Sequence, residues 1–143
     1  MVLKEEVNEK EWKRIRQLGI DTENRLFEAV STDLPGTPKW FLGMERVTHT
    51  MDHLGVDGFA RIWIPGYEWP VRVPIQIKRS WFYLSQYYIK RPHAKGYVLG
   101  IVVRPYFGPT HIRSRVFSLL GMIRTNPKDF DYFIRSLVSK IYR

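Results

Sequence analysis

The stretch Val71–Lys78, VRVPIQIK, restricts this chain more than any other. Val71, Val73, Ile75 and Ile77 alternate with Arg72, Pro74, Gln76 and Lys78, the period of two that belongs to an extended strand. One face of such a strand is buried in a sheet, and the other carries Gln76 and Lys78 side by side. Pro74 has no N–H to give a ladder, so the strand needs an interruption or a free edge near that position. Just upstream, Phe59–Ile64 is β-branched and aromatic, and Pro65 and Gly66 mark a turn. The whole stretch His53–Ser80 therefore reads as a β-hairpin with Asp57 at its start.

Around this hairpin the other elements can be read with varying clarity. Residues 4–17 and 21–33 read as two helices, the first ended by Gly19 and the second capped by Asp21 or Thr22. Val7, Trp12, Ile15 and Leu18 form the apolar stripe of the first, and Leu26, Phe27, Val30 and Leu34 that of the second. Pro35, Gly36 and Pro38 make a loop. Residues 39–48 read as a strand, with Gly43 at a bulge or a close contact. Residues 80–91 fit a helix or a strand equally, and Pro92 ends them. Tyr97–Val103 is a continuous apolar run, as in a strand covered on both faces. Ile112–Ile123 reads as a helix, and Asn126 followed by Pro127 opens a last one. The order is helices over 4–33, a core sheet over 39–103 and helices over 112–142. That is a single α/β or α+β domain spanning 1–143, long enough to bury a core of its own.

The ends of the hairpin carry the chemistry. Asp57 and Gln76 are 19 positions apart, room for two strands and a turn. Folding the hairpin brings an acid, an amide oxygen and an ammonium to one end of the sheet. A Mg²⁺ ion takes one or two carboxylates, waters and a substrate phosphate, and such a site lowers the pKa of bound water and neutralises the phosphate. In that arrangement Asp57 ligates the metal, Gln76 offers its carbonyl oxygen, and Lys78 meets the water and the scissile phosphate.

The pattern of Gly, an aliphatic, Asp57 and Gly, then a hairpin, then PIQIKRS, resembles the PD-(D/E)XK nuclease superfamily. It is most similar to the Gln-x-Lys variant found in Mrr-type restriction enzymes. The resemblance spans residues 48–80. It implies a restriction-endonuclease-like three-layer core, a mixed sheet of four to five strands flanked by helices, one before the first strand and one crossing over late. It also implies hydrolysis of DNA with Mg²⁺ or Mn²⁺, and a further acid on the helix before the sheet. Glu28 is the first choice for that acid and Glu23 the second, with Asp52 as an alternative ligand. The expected metal set is thus Asp57, Gln76 and Glu28. Gln76 stands where an acid is more usual, so a nuclease-like module that binds nucleic acid without cutting is the alternative, followed by a protein-interaction subunit.

Charge points the same way. Residues 67–143 hold 14 basic and 3 acidic side chains, whereas residues 1–33 hold 6 and 8. A basic half suits a polyanion, with nucleic acid the first candidate, and the resemblance implies DNA ahead of RNA. Arg79, Lys90, Arg91 and Lys95 are the expected phosphate contacts. They are interleaved with Trp81, Phe82, Tyr83, Tyr87 and Tyr88, most of which read as core or amphipathic cover. The chain has no cysteine, which excludes disulfides, thiolate zinc sites and a thiol nucleophile and fits the cytoplasm. The charged N-terminus is unlike a signal peptide, and no apolar run is long enough for a membrane span. His49 and His53, four apart near Asp52, could pair on zinc only if helical, which THTMDHLG does not favour. With little room for a target-recognition domain, specificity would come from a homodimer, a separate specificity subunit or nucleic-acid shape.

Overall fold

The computed structural model describes residues 2–47, 55–94 and 98–129. Within them the chain runs α1 (Val2–Ala29), β1 (Phe41–Arg46), β2 (Gly58–Ile62), β3 (Val71–Lys78), α2 (Trp81–Lys90), β4 (Leu99–Val102) and α3 (Pro109–Thr125). Short 3₁₀ turns cover Pro92–Ala94 and Pro127–Asp129. This is an α+β fold with a mixed sheet in the order β1-β2-β3-β4. β1, β2 and β3 form an antiparallel meander, and α2 crosses over so that β4 returns parallel to β3.

The period of two in β3 divides the core. Val71, Val73, Ile75 and Ile77 face the layer formed by α1 and α3, where Leu26, Val30, Ile112, Val116, Leu120 and Ile123 are buried. On the other face α2 packs through Leu84 and Tyr87 against Phe59, Val98 and Val102. Gly100 permits that approach: a Cβ there would lie 2.6 Å from a Leu84 methyl and 2.8 Å from the Tyr88 hydroxyl oxygen.

Pro74 sits where the ladder can spare it. The Ile75 carbonyl and the Ile77 N–H point to the β2 side, where they bond Asp57, and N–H groups alternate sides along a strand. The Pro74 nitrogen therefore points the opposite way. There β4 begins only at Leu99, which pairs with Ile75. Gly43 has φ +129° and falls at the shift of register between β1 and β2, a bulge.

Three expectations change, and a fourth reading, left open, is settled. Residues 4–33 form one helix to Ala29, not two. Gly19 does not adopt the left-handed conformation of a C-cap. Asp21 accepts from Gln17 Nε2 at 2.9 Å, and Thr22 Oγ1 donates to the Leu18 carbonyl at 2.7 Å, so both serve the helix interior. A mid-helix glycine costs only about 1 kcal/mol, too little to break a helix that packs at its far end. Second, among the described side chains of α1 the buried ones fall in its last two turns: Thr22, Leu26 and Ala29 are buried, while Trp12 is 66% exposed. Third, α3 begins three residues earlier than Ile112, because Pro109 occupies the first helical position behind Gly108. Fourth, residues 80–91 resolve into a helix, because the Ser80 hydroxyl accepts from the Tyr83 N–H at 3.3 Å and caps it. Asn126 closes α3 through its N–H to the Met122 carbonyl at 3.0 Å. The last helix expected beyond the Pro127–Asp129 turn lies outside the described residues.

Candidate active site

Asp57 lies just before β2, yet it is part of the sheet. Its N–H donates to the Ile75 carbonyl at 2.8 Å, and its carbonyl accepts from Val47 N–H at 3.1 Å. Two residues further along β3, where β2's backbone has turned away, the Asp57 carboxylate takes its place: Oδ2 accepts from Ile77 N–H at 2.6 Å. That bond fixes the carboxylate against the strand that carries Gln76 and Lys78. The second oxygen is left for another partner.

Asp57, Gln76 and Lys78 line one cleft of about 370 Å³, closed on its far side by Tyr83, Gln86, Tyr87, Lys90 and Arg91 of α2 and its C-cap. Gln76 is 7% exposed, and no hydrogen bond ties its side-chain amide to another described residue. Lys78 Nζ stands 5.9 Å from the centroid of the Tyr87 ring, a cation–π distance. Tyr87 also braces the turn that leads to Asp57, since its hydroxyl donates to the Gly55 carbonyl at 2.6 Å. Gly55 has φ +70°, and a Cβ there would lie 2.7 Å from the Arg91 Cζ, so only glycine suits the turn with Arg91 in place. Burial pushes the Tyr87 phenol up to about 12, against the pull of Arg91. It is a neutral donor at ordinary pH.

The helix acid at the site is Glu23. Burial raises its carboxyl to about 8, reinforced by the neighbouring Asp57 carboxylate, while Arg46 and Lys78 pull it back. Glu28, the first choice from sequence, is exposed. Five residues turn a helix by about 140°, which carries Glu28 away from the face that meets Asp57. The structure thus brings Glu23, the second choice from sequence, to Asp57, and leaves Glu28 outside the site. Asp52, His49, His53 and Lys95 lie outside the described residues.

Among the described residues no three His, Cys, Asp or Glu side chains gather as a metal cluster. The donor set is instead two carboxylates and an amide oxygen. Two carboxylates brought together in a half-buried site need a proton or a cation between them, and the raised Glu23 marks that demand. All-oxygen donors suit a hard divalent ion such as Mg²⁺ or Mn²⁺. Glu23, Asp57 and the Gln76 carbonyl would hold it. When bound, such an ion neutralises a phosphate and acidifies a water. Lys78, Lys90 and Arg91 give the cleft a positive wall. Arg79 turns to the adjoining recess, where its guanidinium donates to the Tyr83 hydroxyl at 3.0 Å.

Sequence reasoning missed Tyr87, Tyr83 and Gln86 as cleft residues. The only signal for them was helical spacing after a strand end, which becomes visible once 80–91 is known to be helical. No family model matches the chain, and no curated protein or solved structure matches it. Among the described residues no helix is long and apolar enough to cross a membrane.

Proposed function

We propose that this protein is a metal-dependent phosphodiesterase of the PD-(D/E)XK type that cuts DNA. The observation that carries the reading is the convergence of Glu23, Asp57, Gln76 and Lys78 from α1, the start of β2 and the end of β3. Each supplies what phosphodiester hydrolysis needs: oxygen ligands for Mg²⁺ or Mn²⁺ and an ammonium for the developing charge. The element order agrees with what the resemblance implies, a helix before the first strand and a crossover helix before the last. The positive wall of Lys78, Lys90 and Arg91 suits a phosphate backbone. Glu23 offsets the neutral Gln76, since two carboxylates remain for the metal.

The test is incubation with supercoiled plasmid and with RNA in Mg²⁺, Mn²⁺ or EDTA. Nicking of plasmid that EDTA abolishes supports the reading. Salt-sensitive binding without cutting in any metal replaces it with a nucleic-acid-binding module.

A further inference from the structure

The first turn of α2 displays three rings that the core does not use. Trp81 is 53% exposed, Phe82 65% and Tyr83 37%. The buried side of α2 starts only at Leu84. Successive helical residues are about 100° apart, so the three rings fan out from the cleft. Tyr83 lines the cleft beside Lys78. Phe82 stands edge-on to Tyr83, with centroids 5.6 Å apart and planes at 74°. On the other flank the Arg115 guanidinium of α3 lies 5.5 Å from the Trp81 ring, and that of Arg79 lies 5.0 Å from the Tyr83 ring. Ser80 caps the helix, so the fan begins three residues after Lys78.

Two more features limit what the ledge can hold. Residues 69–128 contain no Asp or Glu, while every charged side chain among them is Lys or Arg. The rings therefore sit in a field that favours a polyanion. On the far side of Lys78 a recess of about 140 Å³, lined also by Thr22 and Glu23, lies between Ile15 of α1 and Tyr83. A cavity of about 150 Å³ holds one benzene, so this recess is the size of a single ring. A ledge and a recess of this kind need free base faces. Continuous duplex keeps its base faces stacked and offers only edges and backbone.

We infer that Trp81, Phe82 and Tyr83 form a stacking ledge for unpaired nucleobases, so that the strand reaching Lys78 is single-stranded DNA or an unpaired tail of a duplex. The inference rests on the phosphodiesterase reading for the role of the cleft, whereas binding to the ledge requires no cutting. Alternating rings and cations beside a phosphate site are how sequence-tolerant single-strand binding is built.

The experiment measures binding in EDTA by fluorescence anisotropy, with labelled oligothymidylate and a blunt duplex of equal length. The full chain should bind the single strand roughly tenfold or more tighter than the duplex, and Trp81→Ala with Phe82→Ala should remove that preference, each ring contributing on the order of tenfold. Trp81→Phe with Phe82→Tyr keeps both rings and should retain it. Equal affinity for the two DNAs, or a double alanine variant that binds like the parent with unchanged circular dichroism, overturns the inference and leaves the ledge to a protein partner. Cleavage in Mn²⁺ of single strand, blunt duplex and a duplex with a single-stranded flap separates the two claims. Ring-dependent binding with no cleavage of any substrate sinks the phosphodiesterase reading and upholds the ledge. Equal cleavage of all three, indifferent to the rings, does the reverse.

Discussion

The Asp57 carboxylate accepts the Ile77 backbone N–H at 2.6 Å, so the acid of the candidate site is bonded to the strand that presents Gln76 and Lys78. The bond spans the neighbours of both. It holds the carboxylate in one orientation before any ligand arrives, which is what a preorganised site requires.

Asp57→Asn and Asp57→Ala should therefore differ. Asparagine keeps an oxygen for Ile77 N–H but loses the charge, so the fold should hold within about 1 kcal/mol while cleavage is lost. Alanine also orphans the N–H and should cost about 1–3 kcal/mol. Urea denaturation beside a cleavage assay checks both, and equal stability of the two variants would contradict the structural half of the role.

Glu23 gives a pH signature. Its folded value of about 8 lies above the ordinary 4.5, so the protonated form is favoured by folding. Its contribution is complete below 4.5 and is lost as pH rises to about 8. The metal-free protein should lose stability across that window, Glu23→Gln should flatten the decline, and saturating Mn²⁺ should reduce it by taking the proton's place. Glu23→Gln should also weaken Mn²⁺ binding by on the order of tenfold, with Glu28→Gln near wild type. Titration calorimetry reads the affinities.

Gly19→Ala should stabilise the protein by about 0.5–1 kcal/mol. A Cβ at Gly19 meets nothing within 4 Å, and the residue is helical. A glycine that ended one helix before another would give the opposite sign. Thermal denaturation of the two proteins is enough.

Tyr87→Phe removes the bond to the Gly55 carbonyl but keeps the ring beside Lys78. It should cost about 1 kcal/mol of stability and lower the cleavage rate more than substrate affinity, because the turn that positions Asp57 slackens. Cleavage rates across substrate concentrations separate the two.

Much of the site was legible in β3 itself. Alternation decides the faces of Gln76 and Lys78 without reference to the rest of the fold, and a hairpin of the observed length returns Asp57 to them. Pro74 called for an interruption or a free edge near its position, and β4 begins beside it only at Leu99, opposite Ile75. The helix acid was not legible, because Glu23 and Glu28 differ only in phase, and phase depends on how α1 docks. That docking is decided by Leu26 and Val30 near its end, while Trp12 of the upstream stripe stays in solvent. The rings of α2 could be sorted into core and cover only once the segment was known to be helical: it buries Leu84 and Tyr87, and Trp81 and Phe82 are left outside.

The most direct test of the account is the single-turnover rate of plasmid nicking in Mn²⁺ by the parent, Asp57→Ala and Lys78→Ala, with EDTA as control. Removal of a charge-stabilising group should slow the reaction by roughly 100-fold or more, so both variants should fall to the EDTA background while still folded. Nicking that persists in either folded variant, or that survives EDTA, would contradict the assignment of this cleft as the catalytic site.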